Sequence, residues 1–303
     1  MNAVPAAYYR HGEVVDFGRN FIPEELTPLS QTPIYRRLEA RHRLRYNQLQ
    51  AFFFNEQIVF FETMIGNGLM RALLREDWPQ DVRLSLKQLW SDEVRHTVMF
   101  RRLNRYCAPE FYRRSDHHFI QIARPWKALL RWTTGLPHLF PLYLWVMLLQ
   151  EERSLYYSAR FIRSKQTLEP HWVEVYRKHL IDESSHVRCD QDLLDRWWPK
   201  VPAHIRRINA QLLAWMVGEF FSAPKRGQLS VVVTLTREYP ELQQHLPAMM
   251  AQLLDLAEDQ GYQQSMYSRE ITPRTFARFD QWPEFRVLEK AMPGYRSPGS
   301  ATA

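Results

Sequence analysis

Two cysteines in 303 residues, Cys107 and Cys189, are too few for a disulfide framework. Their scarcity excludes the small disulfide-built scaffolds and fits a reducing compartment. Ten glycines are also few for this length; an all-β chain needs frequent turns and runs of alternating apolar and polar residues, and such runs are sparse. No apolar run reaches bilayer length. The most apolar stretch, Leu139 to Leu149, is about half the ~20 residues a spanning helix needs, and Arg131, Pro137, His138 and Pro141 interrupt its upstream side. The first residues lack a charged-then-apolar leader pattern, so a cytoplasmic setting is expected, with no membrane partner. Cys189, three residues after His186, is expected to be a small buried filler.

What the chain does hold is core material: 45% apolar residues, with 10 Trp, 14 Tyr and 17 Phe. The fold class expected is all-α. Residues 1–31 contain prolines and read as an N-terminal arm, and 32–303 read as a single domain. Thr32-Pro33 is an N-cap followed by proline in the first turn. It opens a helical pattern that runs to about Arg75, with a break expected near Tyr46-Asn47, and Asp81 is expected to cap the return helix. A first hairpin thus spans about 47–105. Pro109, Pro125 and Gly135 break the stretch 108–135, which is long enough to cross to a second hairpin at about 141–198. That hairpin restarts at Pro141, turns before Pro170 and ends near Trp197-Trp198-Pro199. Ile205 to Ser222 reads as another helix, and further helices to about residue 290 are expected to pack outside.

The chemistry lies in a repeated spacing. Glu62 and Glu93 are 31 residues apart, and so are Glu152 and Glu183. In each pair the second glutamate opens a Glu-x-x-His, Glu93-Val94-Arg95-His96 and Glu183-Ser184-Ser185-His186. With a turn midway, at Arg75 to Gln80 and at Thr167 to Pro170, each hairpin sets its two glutamates at one height. Four helices then aim four carboxylates and two imidazoles at one level, the ligand set of a ferritin-like four-helix bundle with a dinuclear metal site in its core, plus additional C-terminal helices. Each glutamate has apolar neighbours, Ile58, Phe61, Ile65 and Leu69 around Glu62, and Trp145, Leu148, Leu149 and Leu155 around Glu152. Carboxylates on a buried face are costly unless paired or metal-bound.

Helix geometry selects among neighbouring acids. Glu56 is six residues before Glu62, about 9 Å away along the axis. Glu151 is rotated about 100° from Glu152 and breaks the equal spacing. Glu62 and Glu152 are therefore the ligands expected. His179, one turn before Glu183, projects from the same stripe, whereas Leu89 holds the matching position of the first hairpin; one metal gains an extra nitrogen donor. Carboxylate and imidazole donors without thiolates suit iron, with manganese as a substitute, rather than structural zinc. Metal-bound histidines donate their other ring N–H to a carboxylate or carbonyl, for which Asp92 and Asp182 are available, crossed as Asp92 to His186 and Asp182 to His96. Gly66, one turn after Glu62, and Gly68 mark either space for dioxygen or substrate or a close helix approach.

Glu62, Glu93-x-x-His96, Glu152 and above all His179-x-x-x-Glu183-x-x-His186 resemble the AurF-like di-iron oxygenases, named for p-aminobenzoate N-oxygenase. The similarity extends softly into Ser268 to Phe276 and covers most of the chain after residue 30. The resemblance implies two iron ions held by Glu62, Glu93, His96, Glu152, His179, Glu183 and His186. It also implies dioxygen, an external electron donor, and oxidation of an amine nitrogen to hydroxylamine, nitroso or nitro in small-molecule biosynthesis. The competing readings are a di-iron C–H hydroxylase or desaturase, which the third histidine weighs against, and a ferroxidase, whose short bundles do not match the extra helices. The substrate expected is a small-molecule amine or amino acid, free or carried on a protein, with a homodimer as one assembly open to the chain. Tyr156, Arg269 and Arg274 are unranked candidates for holding it. The net charge of +7, dense over Arg36 to Arg45, fits steering of an anionic substrate or acidic carrier. No nucleic-acid motif accompanies it.

Overall fold

A computed structural model describes residues 14–221 and 225–298. The first 13 residues of the expected arm, the end of the expected helix at Ser222 and residues 299–303 lie outside the described ones. From residue 14 the arm is packed into the core: Phe21 stacks on Trp172 with ring centres 4.9 Å apart. Asn47 is not a break. Its side chain clamps the arm, accepting from the backbone N–H of Phe21 at 2.8 Å and donating to the Ile22 carbonyl at 2.7 Å, while the helix around it stays intact.

Among the described residues the fold is all helical. In chain order the helices are α1 (Ala40–Phe61), α2 (Asn67–Leu73), α3 (Gln80–Cys107), the single turn α4 (Pro109–Tyr112), α5 (Arg124–Thr134), α6 (Leu142–Arg163) and α7 (Pro170–Trp197). They are followed by α8 (Ala203–Met216), α9 (Lys225–Glu238), α10 (Leu246–Asp255), α11 (Gln260–Met266), α12 (Pro273–Phe279) and α13 (Leu288–Ala291). Helices α1 and α2 form one continuous rod joined by a π-turn, Glu62–Gly66. The rod and α3 make the first hairpin, α6 and α7 the second, and α3 packs against α7. Pro79 rather than Asp81 precedes the first turn of α3, and Asp81 sits within that turn as an acid near the helix N-terminus. Glu169 caps α7, accepting from the backbone N–H of His171 and Trp172.

Two apolar clusters fill the bundle. One gathers Leu69, Leu86, Trp145 and Leu193, and the other Phe52, Phe100, Phe161 and Tyr176. Each long helix contributes to both and carries its buried acid or histidine between them, Glu62 on the rod, Glu93 and His96 on α3, Glu151 on α6 and His179 to His186 on α7. Helices α8 and α12 pack on α6, and α9 on α1. No helix among the described residues is long and apolar enough to cross a membrane. Both cysteines are buried, and burial pushes each thiol up to about 12.

Candidate metal centre

Six of the seven expected donors converge. Glu93, His96, Glu183 and His186 present atoms within 4.8 Å of one another, as do Glu62, His96 and His179, and all are buried. The Glu183 carboxylate lies at the middle: Oε1 is 2.7 Å from His179 Nε2, 3.6 Å from His96 Nδ1 and 3.7 Å from His186 Nδ1. Glu93 Oε1 is 2.9 Å from His186 Nδ1. His179 belongs to the Glu62 and His96 side, which fixes where the additional nitrogen falls. Leu89, its counterpart on α3, is buried in an apolar cluster.

The seventh donor is a correction. Glu152 does not face this centre. Its Oε1 accepts from the backbone N–H of Arg274 at 2.7 Å, and its Oε2 from the N–H and Oγ1 of Thr275, both at 2.9 Å, so it holds the start of α12. Glu151 faces the centre instead, with Oε2 3.8 Å from His186 Nδ1. Equal spacing chose wrongly because it assumes two regular outgoing helices. The rod carries a π-turn at Glu62–Gly66, and the extra residue that such a turn holds shifts the helical phase between Glu62 and α3. Helix α6 is regular over that stretch, so the offset does not transfer, and a one-residue error is a rotation of about 100°. Glu56, the other acid near Glu62, is also occupied elsewhere: it accepts from the backbone N–H groups of His118, Phe119 and Ile120 and from the Tyr112 hydroxyl.

The expected crossing of the outer aspartates is present. His96 Nε2 is 3.0 Å from Asp182 Oδ2, and His186 Nε2 is 3.5 Å from Asp92 Oδ2. Both imidazoles therefore turn Nδ1 inward and Nε2 outward. Arg95 ties the two aspartates together at 2.7 and 2.8 Å. The hydrogen bonds from His96 and Arg95 outweigh burial and bring Asp182 down to about 2. Sequence reasoning missed Arg95, although it stands inside the Glu-x-x-His element, three residues after Asp92. It also missed Thr97, which donates to Glu62 Oε2 at 2.7 Å, and Ser154 and Ser158, whose hydroxyls lie 3.4 Å from His179 Nδ1. Asp190, one turn past His186, is fully buried with neither oxygen partnered among the described residues, and burial raises it well above the usual carboxylate range.

Whether this donor set fits metal is answered by its loose ends. His96 Nδ1, His186 Nδ1, Glu93 Oε1 and Glu183 Oε2 are buried with no hydrogen-bond partner among the described residues. Buried polar atoms are nearly always satisfied. Burial and the neighbouring carboxylates also raise Glu62, Glu93 and Glu183. Burial, then the two facing histidines, keep His179 neutral. Inward lone pairs on neutral imidazoles, and carboxylates short of positive charge, are what two hard or borderline cations satisfy together. The residues fit.

A cavity of about 800 Å³ opens onto one face of the centre, reaching Glu62, Glu151, His179 and Glu183. Its walls are mostly apolar, including Phe54, Ile58, Phe61, Trp126, Trp132 and Trp215. Gly66 and Gly68 divide the two readings given to them. A Cβ on Gly68 would lie 2.3 Å from Thr134 Oγ1, so that glycine admits α5, while Gly66 has ordinary space beside Met147. None of the unranked candidates lines the cavity. Tyr156 accepts from Arg160, Arg269 pairs with Asp280, and the backbone of Arg274 serves Glu152. The basic stretch is partly neutralised, Arg41 by Glu39 and Glu241 and Arg45 by Glu238.

Paired helical hairpins with carboxylates and imidazoles converging between two apolar clusters define the ferritin-like class of di-iron helical bundles. Within that class, the chain belongs to the AurF family, described as p-aminobenzoate N-oxygenase AurF, whose family model matches residues 12–258. No curated protein sequence matches the chain.

Proposed function

We propose that the chain is a non-haem oxygenase that binds two irons through Glu62, Glu93, His96, Glu151, His179, Glu183 and His186 and oxidises the nitrogen of an amine held in the cavity. Hydroxylamine, nitroso or nitro compounds are the products, dioxygen is the oxidant and an external donor supplies electrons. Family membership supports oxygenase chemistry, and the observation that carries the ligand set is the inward group of buried, unpartnered imidazole and carboxylate atoms. When bound, the two irons supply the reduction of dioxygen.

The residues do the remainder. Asp182 and Asp92 fix the outward Nε2–H of His96 and His186, so each ring keeps its Nδ1 lone pair inward. Arg95 holds both aspartates in register across α3 and α7. Ser154 and Ser158 flank His179 Nδ1, and Thr97 orients Glu62. The apolar walls keep water from the reacting nitrogen and orient the amine by shape.

The test is iron stoichiometry followed by product analysis. Native protein is expected to hold two irons per chain and, reduced and given dioxygen, to convert an amine from a screened panel into a product one or more oxygen atoms heavier by mass spectrometry. A folded Glu183→Ala protein with unchanged iron would overturn the ligand set. Full iron loading with dioxygen consumption but no amine oxidation across aromatic amines, aliphatic amines and amino acids would overturn the nitrogen assignment.

A further inference from the structure

Arg153 lines the cavity two residues after Glu151 on α6, about 3 Å further along the helix axis. Its Cζ lies 4.8 Å from the Tyr157 ring centre and 5.0 Å from that of Tyr267. Nη1 donates to the Tyr267 hydroxyl at 3.0 Å and Nη2 to the Met266 sulfur at 3.5 Å, while Nε has no partner among the described residues. A guanidinium carries five N–H donors, so most of them are left over. More telling is the missing counter-charge. Arg95, Arg206 and Arg278, also partly buried, each meet a carboxylate, at Asp92 and Asp182, Glu284 and Asp195. Arg153 forms no ion pair with any described carboxylate, and its neighbours Tyr267 and Tyr262 are kept neutral because burial raises their hydroxyls. A cation enclosed without an anion is costly, and the open side of this one is the cavity.

We propose that Arg153 is the anchor for a carboxylate on the molecule that occupies the cavity, and that this molecule is an extended amphipathic acid rather than a single ring. The size argument is independent of the charge. A cavity of about 800 Å³ is in the range that encloses a drug-sized ligand, and it runs from the metal ligands out to Trp126, Trp132 and Trp215, each about half exposed. The anion is held at the depth of Glu151, and the apolar body fills the space towards those rings. Charge-assisted hydrogen bonds to a planar guanidinium give the preference for carboxylate. The proposal rests on the reading of this cavity as the substrate site.

Calorimetric binding to iron-loaded protein kept free of dioxygen tests it without turnover. The probes are 4-aminobenzoate, 4-(4-aminophenyl)butanoate and the neutral amide of each. In native protein the longer acid is expected to bind at least about ten-fold more tightly than its amide, and more tightly than 4-aminobenzoate. Arg153→Gln should erase the acid-over-amide preference while leaving amide affinity and Tm near native, and Arg153→Lys should restore part of it. Equal binding of acid and amide to native protein would overturn the anchor, as would equal weakening of both in Arg153→Gln, which marks a structural role. An acid that simply coordinates iron would keep its preference in Arg153→Gln and would also overturn it. Tighter binding of 4-aminobenzoate than of the longer acid would overturn the extended ligand. Because binding is read before chemistry, a confirmed preference without nitrogen oxidation counts against the oxygenase reading alone.

Discussion

Replacing Glu152 and Glu151 in turn separates two adjacent acids that the sequence alone confuses. Glu152 is 4% exposed and accepts three hydrogen bonds from Arg274 and Thr275. Hydrogen bonds to a charged group contribute about 1.5 to 3 kcal/mol each, and a stranded buried donor costs about 1 to 3 kcal/mol. The three bonds share one carboxylate and do not add, and burial opposes its charge, as its raised pKa shows. A net loss of about 3 kcal/mol is expected for Glu152→Ala, which at about 2 °C per kcal/mol lowers Tm by ~6 °C. Iron should stay at two per chain. Glu151→Ala should do the reverse, removing an inward carboxylate beside His186 and losing about one iron while the start of α12 stays held. Circular dichroism and elemental analysis on the same samples read both quantities. A Glu152→Ala protein with native Tm and half its iron would refute the assignment of the two acids and the phase argument behind it.

Gly68→Ala should destabilise by about 1 to 3 kcal/mol in thermal melts, because its Cβ meets Thr134 at 2.3 Å, whereas Gly66→Ala, with 3.8 Å to Met147, should be neutral or slightly stabilising. His117 is held down to about 4 by burial from its ordinary 6.5, so the unfolded chain takes up a proton before the folded one does. Stability should therefore fall as pH drops from about 6.5 towards 4, and His117→Asn should flatten that part of a denaturation series. His179→Ala should retain helicity yet lower iron affinity ten-fold or more; unchanged iron affinity and oxygen reactivity would make this histidine structural.

The hairpins, their turns and the two Glu-x-x-His elements were legible because each follows from local pattern: Pro141 and Pro170 flank the starts of α6 and α7, and an i, i+3 pair on a helix shares a face by geometry alone. The crossed aspartates were legible for the same reason. Glu151 was not, since the π-turn that shifts the phase of the rod leaves no signal in residue type: Glu62-Thr63-Met64-Ile65-Gly66 reads as ordinary helix apart from its glycine. Glu152 looked like a ligand because its true partner, the start of α12, lies more than a hundred residues away. The cavity is assembled from segments between Phe53 and Gly227, and no periodicity brings Arg153 to Tyr267 on paper.

The duplication in the core is close to symmetric on its outer side and broken on its inner one. Asp92 and Asp182 exchange partners across α3 and α7, and Arg95 closes the pair, so each half supports the other's histidine. Where the halves differ, His179 stands against Leu89, and that difference is on the cavity side: Glu62, Glu151, His179 and Glu183 line the cavity, while Glu93, His96 and His186 do not. The extra nitrogen therefore falls on the face where a bound molecule meets the centre, beside Ser154 and two residues from the turn that presents Glu151. A ligand added for stability alone has no reason to face that way. Its position ties the asymmetry of the centre to the side on which chemistry takes place.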